Sequence, residues 1–357
     1  MTKLTDKDKL VFYSLVRWPS LNDIELSEKT GIKRSTITAI RNKLEKNKLY
    51  TTIKFPDLER IGCEILTVRY GSFNPIAPYS IREKYSTLSS STHRFPEVVF
   101  KRSTDRHRVA LHAATNFTDV KRYIDYSNKI YGEHGFLTDE GIIHVFFPFK
   151  LSKVFRFFDY APLLRQCFKL QVKEEKIALD TEFHEKERLD LTEKEKQVLY
   201  ALVKYPELND NQIAEKVSMT RQSVSTIRKK LEGDDLIRTI RIPDLGAIGI
   251  QLLVFTHILV NPKSTLSDRK HLIQEMLQQG CHIFYISGNL EFVLISAFVD
   301  YPEYNSVFEE IVNYYKEHDM LLKDPVTRIF LNKDIKFCID GRFAPLVKKV
   351  LGLKTEV

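Results

Sequence analysis

LTDKDKLVFYSLVRWPSLND, Leu4 to Asp23, returns as LTEKEKQVLYALVKYPELND, Leu191 to Asp210, with the register unbroken. A self-similarity of that length marks a repeated structural unit. It continues: KFPDLERIG, Lys54 to Gly62, matches RIPDLGAIG, Arg241 to Gly249, and YGEHGFL, Tyr131 to Leu137, matches YKEHDML, Tyr315 to Leu321. The last match is shifted by three residues, as a shortened loop would shift it. The repeat therefore runs through nearly the whole chain.

Each copy opens with the signals of three helices. Thr192 and Glu195 have the spacing at which a hydroxyl and a carboxylate satisfy each other's backbone donors, and Asn22 with Glu25 and Asn209 with Gln212 mark a second helix. A turn at Gly31 leads to a third helix, where Ile32, Ile37, Ile40 and Leu44 share one side. Thr36, Thr38, Arg41 and Asn42 take the other. In the second copy Met219, Val224, Ile227 and Leu231 are apolar, and Ser223, Ser225, Arg228 and Lys229 lie opposite. Thr220 can cap that helix where the first copy offers Lys33, so the first should begin less crisply. The alternating stretches TTIKF and RTIRI, carrying Lys54, Arg238 and Arg241, follow as short wings.

Farther along, each copy reads as strand, helix, two strands, helix and strand. The strands are expected at Ile61 to Tyr70, Val98 to Ser103, Arg108 to Thr115 and Ile142 to Phe149. Those of the second copy fall at Ile250 to Leu259, His282 to Ser287, Glu291 to Val299 and Val326 to Asn332. Helices are expected at Ser80 to Ser86, Asp119 to His134, Ser267 to Gln279 and Tyr304 to His318. This is the βαββαβ order of a ferredoxin-like module. The fold class is thus α+β, with two winged helix-turn-helix domains and two ferredoxin-like domains in an internal pseudo-twofold repeat. The expected boundaries are 1–58 and 59–170 for the first copy, 171–189 for a linker, and 190–245 and 246–357 for the second.

With this order in hand, the chain resembles the Lrp/AsnC transcriptional regulators. IELSEKTGIKRSTITAIRNKLEKNKL and NQIAEKVSMTRQSVSTIRKKLEGDDL look like that family's second helix, turn and recognition helix. The resemblance implies sequence-specific binding of promoter DNA by a single-chain pseudodimer, with the βαββαβ domains serving assembly and sensing. It places DNA contacts at Arg34, Ser35, Thr36, Thr38, Arg41, Asn42 and Lys54, and at Arg221, Gln222, Ser223, Ser225, Arg228, Lys229, Arg238 and Arg241. Arg41 and Arg228 can grip guanine through two donors, and the wing cations can hold phosphates. ISGNLEFVL, Ile286 to Leu294, resembles the family's glycine turn, which makes Ser287, Gly288 and Asn289 the candidate site for a small effector. KRSTDRHRVAL, Lys101 to Leu111, lacks that glycine and is strongly basic, so the second copy is the better place to look.

The 357 residues carry 55 Lys plus Arg against 47 Asp plus Glu, a net charge of +8 that favours an anionic partner. Cys63, Cys167, Cys281 and Cys338 have neither zinc-knuckle nor CxxC spacing, which suits free thiols in a cytoplasmic protein. Nothing approaches the apolar run of about 18 residues that a membrane helix requires. There is no phosphate-loop motif and no HExxH site, and His107 with His112 lack metal spacing. His134 and His318 recur at helix ends, where packing explains them. No catalytic residue, metal or cofactor is expected, and the sequence points away from an enzyme. Two other readings stay open: a module contacting the transcription machinery, and a tetrapyrrole enzyme like the siroheme decarboxylases, which share the architecture and for which the basic KRSTDRHR segment would have a use. Further homodimerisation through exposed sheet edges or helices is compatible with the DNA-binding reading.

Overall fold

The computed structural model describes residues 4–77, 80–81, 95–172 and 186–354. The first helices are α1 (Asp6–Arg17), α2 (Asp23–Thr30) and α3 (Arg34–Lys46), followed by strand β1 (Tyr50–Pro56). All the capping pairs expected from the sequence form. The Thr5 and Asn22 side chains cap α1 and α2 in reciprocal boxes with Asp8 and Glu25. Thr192 and Asn209 do the same, with Glu195 and Gln212, for the corresponding helices α6 (Glu193–Lys204) and α7 (Asp210–Val217). Gly31 ends α2 at φ 70°, where Cβ is disfavoured. Ser218 holds the same left-handed position after α7 at φ 53°.

Lys33 gives α3 no side-chain cap, whereas Thr220 caps α8 (Arg221–Gly233). Both helices nonetheless run 13 residues, because the buried stripes decide their length. Phe12, Leu15, Leu26, Ile37 and Leu44 fill the first three-helix core, and Val198, Leu199, Ile213, Val224 and Leu231 the second. The capping acids do double duty. Asp8 takes Lys43 and Glu195 takes Lys230, clamping the first helix of each set to the third at 2.8 and 2.6 Å.

One βαββαβ module comprises β2 (Ile65–Phe73), β3 (Val98–Ser103), β4 (His107–Ala114), α4 (Phe117–Glu133) and β5 (Leu137–Pro148). Of its expected first helix, Ser80 to Ser86, only Ser80 and Ile81 are described, and both are helical. The other module comprises β8 (Leu252–Leu259), α9 (Leu266–Gln278), β9 (His282–Ser287), β10 (Glu291–Phe298), α10 (Tyr301–Glu317) and β11 (Val326–Leu331). The two sheets have the strand orders β12-β3-β4-β2-β5 and β11-β8-β10-β9-β6, with every pair antiparallel. The four strands that each module itself supplies have the ferredoxin-like order. The fold class is the α+β class read from the sequence.

The fifth strands come from elsewhere. β6 (Lys153–Phe157), with helix α5 (Ala161–Phe168), follows the first module in the chain yet lies on β9 of the second. β12 (Phe337–Asp340), with α11 (Ala344–Val350), lies on β3 of the first. Buried arginines fix both seats. Arg156 donates to the carbonyls of Gln279 and His282 at 2.7 and 2.8 Å and to that of Leu277, and Arg102 pairs with Asp340.

The chain accordingly forms two compact units that are not its consecutive halves. Unit I holds residues 1–52, 151–183 and 240–333, and unit II holds 53–150, 184–239 and 334–357. The boundary passes through β1 and through β7 (Ile237–Pro243). In unit I the Asp244 N–H donates to the Leu49 carbonyl, and in unit II the Asp57 N–H donates to that of Leu236, both at 2.8 Å. The continuous domain order 1–58, 59–170, 190–245 and 246–357 does not describe these units. A strand ladder can be completed by any segment of suitable edge, which chain order does not specify. Most of the expected linker, 171–189, lies outside the described residues. Leu189, at its end, donates to the carbonyl of Arg60 in unit II. Among the described residues no helix is long and apolar enough to cross a membrane.

Candidate functional site

The residues expected to read DNA divide into exposed and engaged. Arg34, Ser35 and Asn42 on α3, and Arg221, Gln222, Ser223 and Lys229 on α8, are exposed. Thr36 and Ser225 are half-buried. Arg41 is tied down: its Nε and Nη2 donate to Asp23 Oδ1 at 2.9 and 2.5 Å, and Thr38 donates to the other oxygen at 2.6 Å. Burial works against the Asp23 carboxylate, but Thr38 and Arg41 outweigh it and hold its pKa below the usual value. Arg228 is engaged in the same way, with Nε 2.8 Å from Asp210 Oδ1 and Nη2 donating to the Leu208 carbonyl.

The wing residues separate further. Arg238 is exposed and lies 4.7 Å over the Phe55 ring. Lys54 and Arg241 are 7% and 8% exposed, which removes them from a solvent-facing wing. Lys54 belongs to unit II, where it donates to Glu232 and Thr239; Arg241 belongs to unit I, where it donates to the Leu15 carbonyl. Ser287, Gly288 and Asn289 line a cavity of about 120 Å³ together with Phe155, Tyr285 and Phe292. That is small beside the roughly 300–1,000 Å³ of ordinary ligand pockets.

The sequence reading missed a second constellation, in unit II. Strand register places Lys101, Ala110, Arg69 and His144 in one row across β3, β4, β2 and β5. Arg108 and His112 flank that row on the same face, two residues either side of Ala110. Arg69, Lys101, Arg108 and His112 are 2%, 3%, 6% and 2% exposed. Helix α4 lies over this face and meets it with neutral groups. Arg69 sits 4.4 Å over the Tyr123 ring and donates to Ser127 at 2.9 Å, and Arg108 lies over Phe73 and Tyr131 and donates to the Tyr131 hydroxyl. The His112 ring packs against Tyr123 with centroids 4.3 Å apart.

The electrostatics of the layer are one-sided. Burial, then Arg108, Arg69 and Arg342, push the Lys101 pKa well down. Burial, then Arg69, His144, Lys101 and Arg108, do the same to His112. Burial and Arg69 bring His144 down to about 3. Among the described residues neither ring nitrogen of His112, nor Nε2 of His144, has a hydrogen-bond partner. Several buried cations cost several kcal/mol each unless an opposite charge compensates them.

The module of unit I shows what that position looks like when it is only a core. The corresponding row is Tyr285, Leu294, Thr256 and Thr327, and Phe292 and Ser296 stand where unit II has Arg108 and His112. Tyr285, Phe292 and Leu294 join Ile258, Tyr315 and Met320 in an apolar cluster. The KRSTDRHR run held part of the signal. Arg69, His112 and His144 lie outside it, each between apolar or aromatic neighbours in its strand.

The comparisons bear on both constellations. Residues 186–245 match a family model described as the sugar-specific transcriptional regulator TrmB. The crystal structure of the siroheme decarboxylase NirDL matches with a TM-score of 0.51 and 11% identity, over 98% of this chain and 99% of that one. NirDL in co-complex with an iron-uroporphyrin III analogue gives 0.51 and 10% over the same shares. An AsnC family transcriptional regulator from Agrobacterium tumefaciens gives a TM-score of 0.34 and 15% identity over 39% of this chain and 90% of its own. No curated protein matches. The expectation that the chain is not an enzyme is corrected by the NirDL match, since the architecture found along nearly the whole chain is also that of an enzyme. At these identities the NirDL match establishes a shared fold and nothing finer.

Proposed function

We propose that unit II binds a planar polycarboxylate of the tetrapyrrole class and decarboxylates one of its side chains, as the name of NirDL describes for that protein. The carrying observation is the row Lys101, Arg69 and His144 with Arg108 and His112 flanking it, whose described contacts include neutral rings, a hydroxyl and an imidazole. The cations hold carboxylates, and the Tyr123, Tyr131 and Phe73 rings offer flat apolar surface to a macrocycle. In the reaction the bond between a side-chain methylene and its carboxylate breaks, CO₂ leaves, and the methylene carbon takes a proton. His112, both of whose ring nitrogens lack a described partner, is a group in the layer able to carry that proton. Titrating the chain with uroporphyrin III and with siroheme, while following the porphyrin absorption band, tests the reading. A saturable shift that Arg69→Gln abolishes, with release of CO₂ from siroheme, is expected; an unchanged spectrum with both compounds rejects it.

A second reading, sequence-specific binding of promoter DNA, is favoured by the regulator family match over 186–245 and by the exposed Arg221, Gln222, Ser223 and Lys229 on α8 and Arg34, Ser35 and Asn42 on α3. In it one chain presents two helix-turn-helix sets, Arg41 and Arg228 reach bases only after leaving Asp23 and Asp210, and a small effector at Ser287, Gly288 and Asn289 modulates binding. Further homodimerisation belongs to this reading. Footprinting at rising salt tests it: protection of a defined site with a steep salt dependence supports it, and uniform weak protection counts against it.

A further inference from the structure

Lys54 and Arg241 occupy the same position in β1 and β7, yet only one of them has found a carboxylate. In unit II, Lys54 Nζ lies 3.0 Å from Glu232 and donates to Thr239 at 2.8 Å. In unit I the residue matching Glu232 is Glu45, and it accepts instead from the Tyr50 hydroxyl at 2.8 Å. The diversion is written in the sequence, because Tyr50 stands at the strand position that Ile237 fills in β7. Among the described residues Arg241 is left with the Leu15 carbonyl on Nη1, the Tyr50 ring at 5.6 Å, and an Nε with no hydrogen-bond partner, at 8% exposure.

This arginine forms the floor of an open groove of about 500 Å³ in unit I, lined also by Pro19, Leu21, Ile24, Arg34 and Arg41. The acid within it, Asp23, is already bonded to Arg41 and Thr38. Arg34 is exposed at the rim, and among the described residues no ion pair holds it. We propose that the groove is a binding site for a small phosphate monoester. Arg241 and Arg34 grip the phosphate oxygens, and the organic part lies on Pro19, Leu21 and Ile24. Guanidinium forks match tetrahedral oxyanions, and a partly buried site strengthens each contact. The site is separate from the tetrapyrrole layer, which lies in unit II.

Trp18, the chain's single tryptophan, immediately precedes Pro19 in the groove and has Lys29 Nζ 4.8 Å over its ring. Its fluorescence in the full chain should change saturably with inorganic phosphate and with phenyl phosphate, more tightly with the latter, and not with chloride at matched ionic strength. Arg241→Gln and the exposed Arg34→Gln should each weaken phosphate binding about tenfold, as loss of a charge-assisted bond implies. Lys54→Gln should leave it unchanged. Equal responses to phosphate and chloride, undiminished affinity in a folded Arg34→Gln protein, or a response to duplex DNA without one to either phosphate, would each overturn the proposal.

Discussion

Arg69 Nε donates to His144 Nδ1 at 3.2 Å across neighbouring strands, a hydrogen bond from a guanidinium to an imidazole. The donor fixes the tautomer: with Nδ1 accepting, the His144 proton sits on Nε2, which is buried and has no described acceptor. A cation has thus been spent on orienting a neutral ring. Such a pair is poised to donate the Nε2 proton of a neutral imidazole to an oxyanion.

That geometry predicts proton uptake on ligand binding. His144 starts near 3 and His112 well below its ordinary value, so both are neutral at pH 7 in the free protein. A bound polycarboxylate raises the pKa of His112, whose two nitrogens have no described partner. Calorimetry of uroporphyrin binding in Pipes and in Tris should give enthalpies that differ in proportion to the buffers' ionisation enthalpies. Identical enthalpies would mean that no proton moves.

The free protein should also lose stability on mild acidification. Burial depresses the folded pKa of His112, His144 and His282, the last again to about 3, while the unfolded values stay near 6.5. Between roughly pH 6.5 and 3 the unfolded chain therefore binds more protons, and stability that is full above 6.5 is lost as pH falls. Urea midpoints across pH 7.5 to 5 should decline, and His112→Leu should flatten the slope. A level profile through that window contradicts the assignment.

His112→Leu should separate stability from function. It removes two buried nitrogens that have no described partner, each costing about 1–3 kcal/mol. The variant should unfold at higher urea than the parent, by about 1 kcal/mol or more, while losing uroporphyrin binding. Destabilisation would show that the ring holds the layer together.

In the helix-turn-helix, Asp23→Asn releases Arg41 from its ion pair. Loss of this half-buried, hydrogen-bonded pair should cost about 1–2 kcal/mol in stability. If α3 faces DNA, the same change should tighten binding and steepen its salt dependence, because one more free cation meets the phosphates. Filter binding at several salt concentrations reads both, and weaker binding at every salt would remove α3 from the interface.

The helices and strands were legible because their signals are local. Thr192 with Glu195 and Asn209 with Gln212 announce helix starts within four residues, and Val98 to Ser103 and His282 to Ser287 are bounded as read. The buried layer was not, because Arg69, Lys101, His112 and His144 come from four strands and meet only through register. Each alone looks like an interruption of an apolar strand. The exposed wing failed for a related reason: Lys54 and Arg241 look solvent-facing by composition, and only the three-dimensional neighbours Glu232 and Leu15 show otherwise. The exchange of β6 and β12 left no local mark, since an edge strand carries the same alternation wherever it docks.

The discontinuous make-up of the units has a genetic consequence. Cut within 173–185, the chain would yield two polypeptides, each holding pieces of both units: the first lacks 240–333 of unit I, and the second lacks 53–150 of unit II. Neither product could close a unit alone, so two separate genes would have to be expressed together. A single reading frame guarantees equal supply of parts that are useless apart.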